Sequence, residues 1–484
     1  MPHPVTSRSL RARIMALAAA ARDSRKKYAE LIDRLPEAAR GSGENLADAI
    51  ALDRAGRDFR ELLEGLNLSI GDSPVAVSDD LRRLWSFVSP RSGKSFPGGV
   101  FVGRTISREA GRRLLRRRAL GSLGGPARGG RIMVTAPDES VEETAVLRGL
   151  LAEGVTLLRI NCARGDEDSW RKIIGRLRQA ERSTGVRCRV MMDLAGPKVR
   201  TLVVSSLRGE PPLVGIGDRC LLLGERVRAP ESVRSGCGVA ATMTEPSVLS
   251  DIRTGERVVI DDGKIVARIR RIGAGWAELV VEQARAKGGR IRPERSLNFP
   301  ETDLRLSGLT GKDRADLLRA ARMADLVGLS FVQHPEHVAE ARELLRGAEA
   351  GRVAIVLKVE NRSALRRLDH LLFETLRAKH AAVLIARGDL AAECGFEPLA
   401  RIQRHVAGMA HAAHIPVILA TQVLERMVRT GLPSRAEMGD LAYASGIECL
   451  LLNKGPFVRE SARFVRGWLA RQADARFTSS GIHV

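Results

Sequence analysis

Two short segments carry the residue types that could handle a phosphate and a metal together. They are Leu357-Lys358-Val359-Glu360-Asn361 and Ala386-Arg387-Gly388-Asp389-Leu390. Each follows an apolar run of β character, Ala354 to Leu357 and Ala381 to Ile385. Alternate side chains on a strand share a face, so Lys358 and Glu360 are expected to point together, as are Arg387 and Asp389. Two carboxylates beside a lysine at the mouth of a parallel sheet suit a divalent metal held next to an anionic substrate. A hard cation such as Mg²⁺ takes oxygen ligands, commonly one or two carboxylates plus substrate oxygens. Either segment alone would also serve as a plain surface ion pair; the two in one chain favour a site.

The elements that must position these residues alternate. Apolar strand candidates are Arg131–Thr135, Thr156–Cys162, Arg189–Leu194, Ala324–Val332, Ala354–Glu360, Ala381–Ala386, Pro416–Thr421 and Glu448–Asn453. Amphipathic helical stretches separate them, among them Trp170–Arg182, Gly311–Met323 and Leu399–Ala413. Such alternation implies a parallel sheet, and eight units imply an α/β fold of the (β/α)₈ TIM-barrel type with its active site at the C-terminal strand ends. The residues expected there are Asn161, Asp193, Ser330, Lys358, Glu360, Arg387, Asp389 and Thr421, a polar rim on apolar strands. Between residues 201 and 295 the pattern changes to short Val/Ile/Leu strands punctuated by glycine. A small all-β domain inserted after the third barrel strand could close over a substrate and exclude water. The expected division is a helical N-terminal extension over 1–128, a barrel over 129–200 and 296–473, the inserted lid over 201–295 and a tail over 474–484. In the extension, Arg25–Leu35 and Asn45–Leu66 have helical spacing, Pro36 should end the first helix, Asn67–Asp72 reads as a loop and Gly121–Gly130 as a linker.

Composition narrows the function classes. The 484 residues include 79 Lys and Arg against 57 Asp and Glu, a net charge of +22. That excess suits an anionic substrate or nucleic acid. It is spread along the chain, and its densest tract, Arg112–Arg118, reads as a solvated helix face. Aromatic residues make up 4%, too few for stacking platforms, which argues against nucleic acid. No apolar run reaches the roughly 18 residues of a membrane span. The Arg-rich, acid-poor start to Ala29 imitates a transit peptide, but Arg22, Asp23 and Arg25 follow its apolar patch at once and favour a soluble helix. The six cysteines form no CxxC and no zinc spacing, so free thiols in a reducing cytoplasm are expected.

From about Arg131 to Gln472 the chain resembles pyruvate kinases, motif after motif in order. The motifs are Asp193-Leu-Ala-Gly196-Pro197-Lys198, Asp261-Asp262-Gly263, Lys358-Val359-Glu360-Asn361, Ala386–Leu390 and Ala420-Thr421-Gln422-Val423-Leu424-Glu425, followed by Pro433–Glu437. The resemblance implies transfer of a phosphoryl group from phosphoenolpyruvate to ADP, giving pyruvate and ATP. By it, Glu360 and Asp389 would bind Mg²⁺ or Mn²⁺, Lys358 would neutralise the moving phosphoryl group and Arg159 would grip phosphate. The backbone N–H groups of Gly388 and Asp389 would hold the substrate carboxylate, with Thr421 near the carbon that is protonated. Asn161, Arg164, Arg200 and Arg295 would lie on the nucleotide side, and Asp262 would belong to the lid.

The departures from the family pattern carry their own expectations. Ala163 and Arg164 replace a serine and a histidine, Leu194 replaces a threonine, and Asn453–Phe457 replaces a Ser-Gly-Glu-Thr-Ala segment. Lys198 stands where K⁺-dependent members carry glutamate. Its ammonium, near Asn161 and Asp193, is expected to substitute for the monovalent cation, so K⁺ would not be required. The chain stops twelve residues after Gln472, so the family's usual C-terminal domain, with its phosphosugar site, is expected to be missing, as in a bacterial branch with an N-terminal extension. A homo-oligomer is expected because a barrel helix after strand six or seven commonly mediates contact in the family. Two other readings stand beside this one. One is a metal-dependent enzyme of phosphoenolpyruvate or pyruvate enolate with a different acceptor. The other is a catalytically weak regulatory or nucleic-acid-binding protein.

Overall fold

Eight strands dominated by Val, Ile, Leu and Met close on themselves: β1 (Arg131–Thr135), β2 (Leu157–Asn161), β3 (Arg189–Asp193), β4 (Leu326–Leu329), β5 (Ala354–Val359), β6 (Ala381–Ala386), β7 (Val417–Ala420) and β8 (Cys449–Leu452). In this computed structural model, which describes residues 7–55, 74–88, 106–125, 130–207, 209, 212–286 and 288–475, each strand pairs in parallel with its sequence neighbour. β1 pairs with β8 to complete the barrel, Ile132 opposite Leu450. Side chains alternate inward and outward as the pleat requires. Met133, Leu157, Met191, Val356 and Leu384 fill the interior, while Val134, Leu158, Val190, Ile355 and Val383 pack outward against the helices. The strand candidates read from the sequence all form, trimmed by a residue or a few at some ends.

The barrel is closed from below by residues that precede it. The helix Arg108–Leu123 runs through Gly121-Ser122-Leu123, which the sequence suggested as linker, because Leu123 is fully buried in the barrel interior. Arg189, at the start of β3, donates to the carbonyls of Gly121 at 2.6 Å and Ser122 at 2.9 Å. Ala381 N, at the start of β6, donates to Ser122 Oγ at 3.0 Å. Residues 126–129 of the expected linker, the expected loop Asn67–Asp72 and the end of the expected Asn45–Leu66 helix lie outside the described residues.

Helices Ser7–Lys27, Glu37–Arg54 and Val77–Val88 share one core with the barrel helices. Pro36 caps the start of the second of these, which separates it from the helix before. Tyr28 stacks on Phe373 with ring centroids 5.1 Å apart and donates to Asp369 at 2.5 Å. Asn45 Nδ2 donates to Ala412 O at 2.8 Å. Arg118, in the basic tract, turns inward and donates to Ala413 O at 2.9 Å, so that tract is not solvated throughout. Among the described residues, no helix is long and apolar enough to cross a membrane.

Between β3 and β4 the chain builds a seven-stranded second sheet from Thr201–Ser206 through Leu297–Asn298, with its own apolar core around Val258, Ile269 and Leu279. The outgoing and returning strands leave the barrel as a ribbon. Leu297 N donates to Val199 O, and Thr201 N to Arg295 O, both at 2.9 Å.

Candidate active site at the barrel mouth

Asp193 ends β3 and is almost wholly buried. Its Oδ2 accepts from Arg159 Nε at 2.7 Å and Nη2 at 2.6 Å, a bidentate pair from the neighbouring strand. Its Oδ1 lies 3.0 Å from Lys358 Nζ. That ammonium also donates to Ser330 Oγ at 2.6 Å and sits 2.9 Å from Glu360 Oε1. Lys358 and Glu360 thus share a face, as alternation on β5 predicts. Gly328 on β4 makes room for the cluster: a Cβ there would come within 2.6 Å of Asp193 Oδ1. Gly196 has φ +71°, and a Cβ there would meet Ser330 O at 2.7 Å, which accounts for glycine in the Asp-x-x-Gly-Pro motif.

Burial and charge set the ionisation of this cluster. Burial alone would raise Asp193, but Lys358 and Arg159 outweigh it and hold the carboxyl below its ordinary value. Burial would lower Lys358, yet Asp193 and Glu360 keep the ammonium above its ordinary value. Glu360 is raised, first by burial and then by Asp389 and Asp193, against the pull of Lys358. On the Glu360–Asp389 side of the mouth each carboxylate faces a cation, Lys358 for Glu360 and Lys198 for Asp389.

The second segment folds differently from the expectation. β6 ends at Ala386, and Arg387–Cys394 is a helix, so strand alternation does not govern Arg387 and Asp389. Arg387 turns away from the mouth. It donates to Thr421 O at 2.8 and 3.1 Å and pairs with Asp440 at 3.0 Å. This clamp holds a strained turn, for Thr421, Gln422 and Leu424 all have φ between +49° and +60°. Phe331, after β4, has φ +56°, which aims its N–H at Glu360 Oε2 at 2.7 Å. The Gly388 N–H, expected on a substrate carboxylate, donates here to Thr421 Oγ1 at 2.7 Å. Asp389 stays in the first helical turn, and its Oδ1 lies 2.6 Å from Lys198 Nζ.

Lys198 was expected near Asn161 and Asp193. The structure seats it on Asp389, 5.2 Å from the Phe331 ring centroid, because Arg159 and Lys358 already satisfy Asp193. Asn161 Oδ1 accepts from Ala163 N at 3.1 Å, and Arg164 is exposed beyond it. Arg200, Arg295 and Asp262 sit on the ribbon and its sheet: Arg200 donates to Glu294 O at 3.2 Å, Arg295 lies 3.6 Å from Asp261, and Asp262 accepts from Ser296 Oγ at 2.7 Å. The mouth thus gathers Arg159, Asp193, Lys358, Glu360, Asp389, Lys198, Thr421 and Gly388, while Arg164, Arg200, Arg295 and Asp262 make their contacts elsewhere. Glu393 escaped sequence reasoning. One turn beyond Asp389 on the same helix, it accepts from Asn298 Nδ2 of the returning strand at 2.8 Å, a pairing 95 residues apart that no local signal announces.

The donor chemistry suits a hard divalent cation. Glu360 and Asp389 offer carboxylate oxygens, the first beside Lys358 and the second beside Lys198. Among the described residues no group of three or more His, Cys, Asp or Glu could hold a metal, so two carboxylates leave the remaining positions to substrate and water.

Residues 127–457 match the family model described as pyruvate kinase, barrel domain. A pyruvate kinase of Geobacillus stearothermophilus is 30% identical over 318 residues, which cover 65% of this chain and 51% of that protein. One from Clostridium perfringens is 27% identical over 71% of this chain and 70% of its own length. One from Methylorubrum extorquens is 30% identical over 64% and 60%. The matched region thus spans about half the length of the Geobacillus relative.

Proposed function

The chain belongs to the pyruvate kinase family, and from that premise we propose that its barrel mouth transfers a phosphoryl group from phosphoenolpyruvate to ADP, giving pyruvate and ATP. The observation that carries the reading is the buried ammonium of Lys358, held between Asp193, Glu360 and Ser330. Phosphoryl transfer is mostly positioning plus stabilisation of charge spread over the equatorial oxygens. Lys358 is fixed before substrate arrives, so it need not reorganise as that charge moves. Arg159 adds a guanidinium pre-oriented by Asp193 and suited to phosphate oxygens. A Mg²⁺ or Mn²⁺ ion held by Glu360 and Asp389 would supply Lewis-acid stabilisation of the negative charge that develops during transfer. Thr421, held by its strained turn, would carry the proton end of the reaction. For the carboxylate, Gly388 N–H must exchange its bond to Thr421 Oγ1 for one to substrate, which couples substrate entry to the Thr421 side chain. The second sheet, hinged on the ribbon at residues 199–201 and 294–297, would serve as the lid.

Lys198 underlies the reading that K⁺ is not required. Its ammonium, held 2.6 Å from Asp389 Oδ1, supplies positive charge at the mouth. A coupled assay with phosphoenolpyruvate, ADP and Mg²⁺ should give pyruvate at the same rate with and without K⁺. A Lys198→Glu variant should need K⁺. Failure to form pyruvate with any nucleoside diphosphate would overturn the activity, and indifference of Lys198→Glu to K⁺ would overturn the role of the lysine.

A further inference from the structure

Both legs of the ribbon that carries the second sheet touch one helix. Lys198, on the outgoing leg, lies 2.6 Å from Asp389 Oδ1 in the first turn of the helix Arg387–Cys394. Asn298, on the returning leg, donates from Nδ2 to Glu393 Oε1 at 2.8 Å, one turn further on. This second contact is interior, with Asn298 5% and Glu393 9% exposed. Asn298 also pairs with Val259 in the second sheet, so one residue belongs to the lid and touches the barrel. Glu393 O accepts from Arg362 Nε at 3.1 Å, which ties the same turn to the helix that follows β5. Asn298 Oδ1 is buried without a hydrogen-bond partner. An unsatisfied buried acceptor is costly, and an apolar pair at this place would avoid the cost. The helix has eight residues, too few to hold its place without such contacts.

We propose that Glu393 is a positioning residue for the metal: held by Asn298, it fixes the helix that presents Asp389 and ties that carboxylate to the lid. The inference rests on the reading of Glu360 and Asp389 as metal ligands. Groups that orient metal ligands typically contribute roughly 10–100-fold to affinity.

Uptake of Mn²⁺ by the full chain without substrate, read by electron paramagnetic resonance, tests it. The parent should take up an ion that Asp389→Asn does not. Asn298→Ala and Glu393→Ala should each weaken uptake about tenfold. The double variant should be no weaker than either single, because both remove the same contact. Glu393→Gln keeps an acceptor for Asn298 Nδ2 and should recover most of the affinity. Thermal melting at the parent temperature excludes loss of fold, and Asn298→Ala, which leaves the barrel residues intact, carries the test if Glu393→Ala melts lower. Single variants that bind Mn²⁺ as the parent does overturn the inference and leave the metal site standing. Losses that add in the double variant overturn the link through this pair. Failure of Glu393→Gln to recover affinity assigns the effect to charge and overturns the positioning role. A parent that takes up no Mn²⁺, or one matched by Asp389→Asn, overturns the metal reading itself and the inference with it.

Discussion

Lys358 is held by three groups at once, and that arrangement makes a prediction about turnover. Replacing it with methionine keeps the bulk of the stem but removes the charge that Asp193 and Glu360 face. Loss of one preorganised electrostatic partner costs on the order of 10²–10³ in kcat. Steady-state kinetics on Lys358→Met should show at least that fall with a smaller change in KM, and an unaltered kcat would remove the residue from the chemistry. Single residues were also where the sequence was most and least informative. Lys358 and Glu360 could be placed from alternation on one strand, and Asp193 from its position at a strand end. The partner of Lys198 could not, because it depends on which carboxylates other cations have already taken. Nor could the positive φ angles of Phe331 and Thr421, since neither is a residue type that advertises such a conformation.

Apolar parallel strands announce themselves, and the barrel elements were readable for that reason. The switch from strand to helix at Arg387 was hidden because both states accept its short motif, and only packing against Thr421 and Asp440 decides between them. The same holds for the helix end at Leu123, whose Gly-rich composition signals a loop while its leucine is needed inside the barrel. Leu123→Ala should therefore destabilise the chain by about 2–5 kcal/mol, read as a lowered denaturation midpoint. A drop no larger than that of a surface Leu→Ala change would contradict the plug. The seam between the first helices and the barrel makes a pH prediction. His414 is buried with ring nitrogens near Ser42 Oγ and Val75 O, and burial, with Arg118 and His411 adding repulsion, pushes it from 6.5 down to about 4. A base with a lowered folded value stays neutral while the unfolded chain takes up a proton. Its contribution is therefore whole above about 6.5 and is lost as pH falls towards 4, a loss of up to about 3 kcal/mol. Melting temperature should fall across that window, and His414→Gln should flatten the fall. An unchanged slope would assign the loss to other groups.

At the scale of the whole molecule, a charge of +22 should draw anionic substrates towards the barrel mouth. The KM for phosphoenolpyruvate should rise with ionic strength between about 0.05 and 0.3 M salt while kcat changes less, since screening acts on encounter more than on buried groups. A KM independent of salt would confine the charge to other roles. The packing of the first helices has a further consequence, for the order of events during synthesis. Asn45 bonds to Ala412 across 367 residues of chain, and Leu46, Ala47 and Ile50 on the same helix are buried in the finished fold. At roughly 5–20 residues per second, a ribosome needs about 20–70 s to make that intervening stretch. Throughout that interval the apolar face of the first helices has no barrel to rest on. The nascent chain thus presents a ready-made binding surface for chaperones, one that vanishes once the helix Leu399–Ala412 has emerged and docked.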